Sequence, residues 1–410
     1  MNQHMAFLGD SSAFEVPDHV APERVYDFDF LAQDVEGDMY AWWARLHEAP
    51  EIFYTPRQGG HWVLTRYDDI AHVMEDFPAF SSRHMTIPKG THPFPSPPIE
   101  YDPPLHTDFR RLLAPFFTPK NIAELEKKAR SLTVSLIESF QNRGECDFVA
   151  EFSLAMPIGI FMGLVDLPDG DRLELLTYAE QMVRGRTPEE QGAGFMSAYA
   201  YLGKVIAQRR ETPGNDVLSS MLRGTVEGGR PLSENELLGM GALLLAGGLD
   251  TVAGMMGYIM IFLAENPGHR QRLIDDPSLI PVAVEELMRR HEIANVAREV
   301  IADIEYKGVL MKAGEMVLTP TAMAGIDDRR FDNPMEVDFD RADKRSLVFG
   351  KGPHQCIGAY LARTELRVFL SEWLIRIPEF AIKPGEKPIA VPGRANSVHY
   401  LPLVWPVVKP

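Results

Sequence analysis

Cysteine is scarce in this chain: Cys146 and Cys356 are the only two in 410 residues. So few exclude a disulfide framework and fit a reducing compartment. Basic residues are also in deficit, 41 Lys and Arg against 58 Asp and Glu, for a formal net charge of -17. A general nucleic-acid binder would carry the opposite excess. Met1 to Phe14 lacks a positively charged stretch followed by an apolar one, so no secretory signal or anchor is expected, and the cytoplasm is the expected location. No linker, low-complexity block or repeat interrupts the chain, and its prolines and glycines (32 of each) are spread rather than clustered. A single domain over residues 1–410 is therefore expected. H-E-x-x-H, G-x-x-x-x-G-K-S/T and a G-x-G-x-x-G after a strand are all missing, which removes metalloprotease, phosphate-loop and dinucleotide readings.

One long hydrophobic run is present. Leu237 to Ala264 is nearly all apolar and long enough to cross a bilayer. Asp250 and Thr251 sit in its middle, Gly247-Gly248 interrupt it, and no basic flank orients it, so a helix buried through a large core is expected, with no membrane partner. Ser233 and Glu236 form a capping-box start for it. Apolar spacing of three and four predicts further helices over Met39–Ala49, Asn121–Gln141, Leu173–Arg184, Gly194–Arg210 and Pro281–Arg290. Alternation predicts strands at Glu51–Tyr54, His61–Thr65, Ala297–Ile301, Ile304–Lys307 and Met316–Thr319. The class is mainly α with a smaller β portion.

The richest ten residues are Phe349-Gly350-Lys351-Gly352-Pro353-His354-Gln355-Cys356-Ile357-Gly358, followed by a helical run from Ala359. A lone cysteine in a glycine-rich loop lacks the further ligands that zinc needs. Backbone N–H groups at the start of the next helix can stabilise its thiolate. Gly350, Gly352 and Gly358 let the backbone turn and approach a flat macrocycle closely, and Phe349 can cover the sulfur with apolar surface. Three other constellations stand out. Glu286 and Arg289 share a helix face; taken alone they read as a surface pair of little worth. Ala246-Gly247-Gly248-Leu249-Asp250-Thr251 puts an acid and an alcohol in apolar sequence, costly unless satisfied or used, beside a bare glycine face. Thr251 can bond back to a carbonyl of its own helix. His106 and Arg110, four apart, can both meet an anion, with Arg298 and His354 as further candidates; alone, the first pair reads as a solvated face.

Together these residues resemble the cytochromes P-450. Phe349, Gly352, Cys356 and Gly358 match the four fixed positions of that family's haem-binding signature, F-x-x-G-x-x-x-C-x-G. Glu286 and Arg289 match its E-x-x-R pair, and Pro334–Arg341 looks like the segment that locks against it. Gly247 to Thr251 matches the oxygen-activating helix, and His106/Arg110 the H-x-x-x-R of the propionate-binding helix. Runs at Ala246–Val252, Glu285–Arg290, Trp373–Pro378 and Leu401–Trp405 place the resemblance nearest the bacterial camphor hydroxylases.

The resemblance implies a triangular-prism fold with a long central helix over haem b (iron protoporphyrin IX). It implies a monomeric monooxygenase that inserts one oxygen atom from O2 into a C–H bond of a small apolar substrate, expected to be a terpenoid or norisoprenoid. Cys356 would be the metal ligand, with Phe349, Gly358 and Gly247 against the cofactor. Arg110, His106, Arg298 and His354 would hold the propionates, Thr251 and Asp250 would handle dioxygen and protons, and Glu286 and Arg289 would be structural. Phe94, Thr86, Leu243, Ala246, Ala294 and Ala395 would line the substrate pocket, under a lid from Thr86 to Phe94 and the helices around Met182 to Tyr201. Phe94 falls where the camphor enzyme has a substrate-anchoring tyrosine, which makes camphor itself an unlikely ligand. Ala246 and Ala294 replace that relative's valines, leaving room for a bulkier molecule, and Val296 replaces an acidic partner of one propionate. No flavin or iron–sulfur domain is visible, so electrons are expected from a 2Fe–2S ferredoxin and its reductase, docking on Arg111, Lys344, Arg345 and Lys351. The alternatives are a haem-thiolate peroxygenase using hydrogen peroxide and a haem gas sensor; Asp250-Thr251 speaks against both.

Overall fold

Helices set the frame. This computed structural model describes residues 15–32, 35, 37–89, 96–184 and 188–407. The longest helix, Glu234–Glu265, has 32 residues, about 48 Å at 1.5 Å per residue. It starts where expected: Ser233 Oγ accepts from the Glu236 N–H, and the Ser233 N–H donates to Glu236 Oε2 at 2.7 Å. It stops at Asn266, before Pro267. Most of its residues are buried, as an all-round apolar helix requires. It is the one helix among the described residues long and apolar enough to cross a membrane, and 56% of its apolar window lies inside the fold.

The other helices include Leu105–Leu113, Pro119–Phe140, Arg172–Arg184, Pro188–Glu211, Ile280–Arg290 and Ala359–Arg376. Each expected helix forms, with ends shifted by a few residues where caps or prolines decide. Met39–Ala49 is the clearest difference: an α-helix over Met39–Ala44 tightens into a 3-10 turn over Arg45–Glu48.

The main sheet has five strands in the order Ile52–Thr55, His61–Leu64, Met316–Pro320, Asn295–Val300, Phe80–Ser81. All neighbours are antiparallel except His61–Leu64 with Met316–Pro320. Near the C-terminus, Ile389–Val391 pairs with Ser397–Tyr400, and this hairpin packs on the central helix. The close approach depends on glycine: a Cβ on Gly257 would lie 2.7 Å from Val398 Cβ. The mainly α class with a smaller β portion is the architecture observed.

Candidate haem and substrate site

The central helix is exposed at its ends and, between them, only at Gly247 and Gly248. A helix buried on both sides can be bare in the middle only against an internal space. A Cβ on Gly248 would meet nothing within 4 Å. One turn on, Thr251 Oγ donates to the Gly247 carbonyl at 2.8 Å, the back-bond expected of it. Asp250 has no hydrogen-bond or ionic partner among the described residues, and burial pushes its carboxyl up to about 6.

The Cys356 loop turns through Gly350 and Gly352, both at positive φ. Gly352 needs to be glycine for a second reason: a Cβ there would sit 2.9 Å from the Met74 carbonyl oxygen. The Cys356 N–H donates to Phe349 O at 2.8 Å, closing the loop. Cys356 is accessible by area, yet burial raises its thiol pKa. Both hold for a sulfur that opens onto an enclosed space. The Gly358 N–H, Arg110 and Arg363 pull in the opposite direction and favour the thiolate. The Phe349 ring lies 4.4 Å under the Arg363 guanidinium, which Glu285 anchors at 2.6 and 3.0 Å.

Around this space stands a crowd of cations and imidazoles. His106 and His354 have ring centroids 4.3 Å apart. Both His106 nitrogens and His354 Nε2 are buried without a hydrogen-bond partner. His354 is pushed down to about 3 by burial, then by Arg298, His106 and Arg110. Arg298 is 3% exposed. Its one side-chain hydrogen bond among the described residues is to the carbonyl of Ala297, at 2.8 Å, and burial lowers it to about 10 against the pull of Asp102. Among the described residues Asp102 is the one carboxylate close by, 3.9 Å from His354 Nε2, and it already accepts from the Ser82 N–H at 3.0 Å and from Ser81 Oγ. Buried charges and imidazoles left unpaired are costly, so the cluster calls for an anion. A thiol, bare glycine helix and anion-seeking cluster fit a flat dianionic macrocycle with a metal at its centre.

Glu286 and Arg289 are both 0% exposed, so the surface-pair reading of them fails. Arg289 Nη2 donates to Glu286 Oε1 at 2.8 Å, and Glu286 also accepts from Asp338 N–H and Arg341 Nε at 3.0 and 2.9 Å. Arg289 reaches the carbonyls of Gly325, Pro334 and Glu336. All five Arg289 N–H groups are thereby engaged, two with Glu286 and three with carbonyls of the 325–336 segment.

This geometry meets its counterpart in known proteins. A model of the cytochrome P450 family matches residues 194–392. A protein of Sinorhizobium fredii, "Probable cytochrome P450 127A1", is 35% identical over 95% of this chain and 97% of its own length. The chain belongs to the cytochrome P450 family. The solved structure of CYP101J2 superposes with a TM-score of 0.88 at 39% identity, covering 96% of this chain and 100% of that one. CYP101C1 gives 0.89 at 36% identity with the same coverage. The Vitamin D(3) 25-hydroxylase of Pseudonocardia autotrophica is 32% identical over 80% of this chain and 83% of its own length. This P450 is thus a haem-thiolate monooxygenase close to the CYP101 group.

A cavity lies beside the central helix at Ala246, Leu243 and Ala242. Thr86 lines it as expected, next to Met85. Phe94 lies outside the described residues. Ala294 and Ala395 pair as an isolated bridge, but their chain neighbours Asn295, Val296 and Arg394 are the ones on the cavity wall. Phe195 and Tyr199 reach it from the helix Pro188–Glu211. Reasoning from sequence missed Met85, Asn295 and Arg394; Phe195 and Tyr199 fall within the Met182–Tyr201 stretch expected over the pocket but were not named. The aromatic pair at four-residue spacing was a readable signal; Arg394, in a short turn, gave none.

The four cations expected to meet a redox partner are not free charges. Arg111 bonds Asp108 at 3.0 Å, Arg345 bonds Asp343 at 2.9 Å, Lys351 bonds Glu75 at 3.1 Å, and Lys344 donates to the Arg341 carbonyl.

Proposed function

We propose that this P450 holds haem b through Cys356, oxidises a molecule with a terpenoid or norisoprenoid skeleton, takes its electrons from a 2Fe–2S ferredoxin and works as a cytoplasmic monomer. The single observation that carries the cofactor reading is the cluster of Arg110, His106, Arg298 and His354, which has too little negative charge of its own. Two propionates would supply what it lacks, and Arg298, buried and held at one carbonyl, would meet one of them. The chemistry supplied by the bound group is reduction of dioxygen with two electrons and insertion of one oxygen atom into a C–H bond, the other leaving as water.

The chain's own residues would then act as follows. The Gly358 N–H, Arg110 and Arg363 would favour the thiolate against the burial that raises the thiol's pKa. Thr251 spends its proton on Gly247 O, so its lone pairs are left to accept from a water or protonated ligand in the groove. Asp250, poised near 6, can take up and release a proton at neutral pH. The apolar wall of Ala246, Leu243, Val296 and Phe195 excludes water and orients the substrate. For the ferredoxin, the support is a group of cations that flank the Cys356 loop: Arg111, Arg345 and Lys351 are each paired with an acid, while Lys344, bonded to a carbonyl, keeps its charge.

The test is a reduced carbon-monoxide spectrum, a terpenoid titration for the high-spin shift, and turnover under labelled dioxygen. The thiolate band, a spectral shift with terpenoids and label in the product with ferredoxin and NADH are expected. Turnover with hydrogen peroxide and none with ferredoxin would overturn the electron-supply reading.

A further inference from the structure

Among the described residues, two charged side chains line the cavity, Glu100 and Arg394. They are not equivalent. Glu100 is already engaged: its Oε2 accepts from the Ser96 N–H at 3.0 Å. Its charge also raises the pKa of Tyr199, after burial, so it lies on the Tyr199 side of the chamber. Arg394 has no hydrogen bond or ionic partner for its guanidinium among the described residues. Arg394 is exposed by area, onto the chamber that it lines, yet the surrounding protein still lowers its pKa by burial, with no carboxylate offsetting it.

The backbone beneath Arg394 is pinned. The Asn295 N–H donates to Arg394 O at 2.8 Å, and Asn295 Nδ2 donates to Gly393 O at 2.7 Å. On its far side the Asn396 N–H donates to Ile293 O at 2.8 Å. Ala294 and Ala395 bridge the same two segments. The backbone that carries this planar fork of donors is thus held at a fixed place on the wall of a chamber whose remaining surface is largely Leu, Ala, Ile, Val, Met and aromatic. A guanidinium matches a carboxylate through two parallel N–H···O bonds. It stays charged at any working pH, so an uncharged apolar ligand would leave it unpaired inside the chamber.

We infer that the substrate carries a carboxylate on an apolar body, taken by Arg394, with the hydrocarbon end directed along Leu243 and Ala246 toward Thr251. Glu100 reinforces the orientation, since its negative charge opposes the reverse pose. This rests on the reading of the cavity as the substrate chamber and narrows the substrate class from a neutral terpenoid to an apolar acid.

The experiment titrates the holoenzyme at pH 7.5 with matched pairs of acid and methyl ester on three skeletons: decanoic acid (linear), perillic acid (monocyclic) and camphorcarboxylic acid (bicyclic). Neutral terpenoids run alongside. On at least one skeleton the acid is expected to bind about ten-fold or more tightly than its ester, one bidentate charge-assisted pair's worth of selectivity. Arg394→Gln should abolish that preference and leave haem content and ester binding unchanged; Arg394→Lys should restore part of it. Esters that bind as well as their acids on every skeleton that binds, or a preference that survives in Arg394→Gln, overturn the inference. Loss of haem from Arg394→Gln in proportion to lost acid binding also overturns it, assigning Arg394 to a haem carboxylate. Spectral shifts with neutral terpenoids but no acid sink the carboxylate and keep the chamber. No shift with any compound sinks the chamber reading itself.

Discussion

At the scale of single residues, the site is defined by groups left without partners. Asp250 illustrates the energetic side. Its carboxyl rises from 3.8 to about 6 through burial. A raised carboxyl pKa means that the folded state binds the proton more tightly, so stability falls as pH climbs from about 4 to 6 and is level above that. Asp250→Asn should therefore be more stable than the native enzyme at pH 7 by about 2 kcal/mol, with the difference gone below pH 4. Urea unfolding across that range checks it. The same variant should turn over at least about 100-fold more slowly, the usual worth of a positioned proton donor. Arg298 gives a parallel expectation. Arg298→Leu should stabilise the haem-free protein, because a buried unpaired charge is removed, and speed haem loss to a scavenger about ten-fold. An apoprotein that loses stability, or haem loss at the native rate, would count against a cofactor anion beside Arg298.

At the scale of elements, glycine and buried ion pairs fix how closely segments meet. A Cβ on Gly325 would lie 2.0 Å from the Arg289 carbonyl oxygen. Gly325→Ala must move the turn that Arg289 bonds, and a loss of about 3 kcal/mol or more is expected in thermal or urea unfolding, as for breaking a buried pair. Gly257→Ala, against Val398, should cost about 1–3 kcal/mol by overpacking. Such contacts explain what was legible in the sequence and what was not. The central helix could be read because its apolar run and the Ser233/Glu236 cap are local signals. The strands could be read from alternation, with ends off by a residue or two. Glu286/Arg289 could not be read from the residues alone, since burial by the 325–341 segment is a tertiary fact; only the family resemblance suggested it. The cavity wall was half legible: Thr86, Leu243 and Ala246 fell in place, while Arg394 lies in a turn with no periodicity to betray which way it faces.

At the scale of the whole molecule, net charge and local charge point in different directions. The protein is at -17, while the cations near the Cys356 loop are tied to Asp108, Asp343 and Glu75. Screening acts on what is left over, so reduction by an acidic ferredoxin should slow only a few-fold between 20 and 300 mM salt, and Arg345→Glu should slow it further at low salt alone. Stopped-flow reduction across a salt series tests this; a rate indifferent to salt in both proteins would remove the patch from electron supply. One strand binds these regions together. Asn295–Val300 puts Asn295 and Val296 on the cavity, gives Ala297 N–H to Met85 O at 2.9 Å, sets the Arg298 charge where it depresses His354 and lets Glu299 gather Arg83, His84 and Lys89. Burial opposes the ionisation of Glu299, yet those three donors hold its pKa at about 2. For anyone recombining this enzyme with its relatives, the six residues are an indivisible block. A crossover inside them would take the cavity wall, Arg298 and the partners of Glu299 from different parents, and chimeras should retain haem and ligand binding only when 295–300 travels together with 82–89.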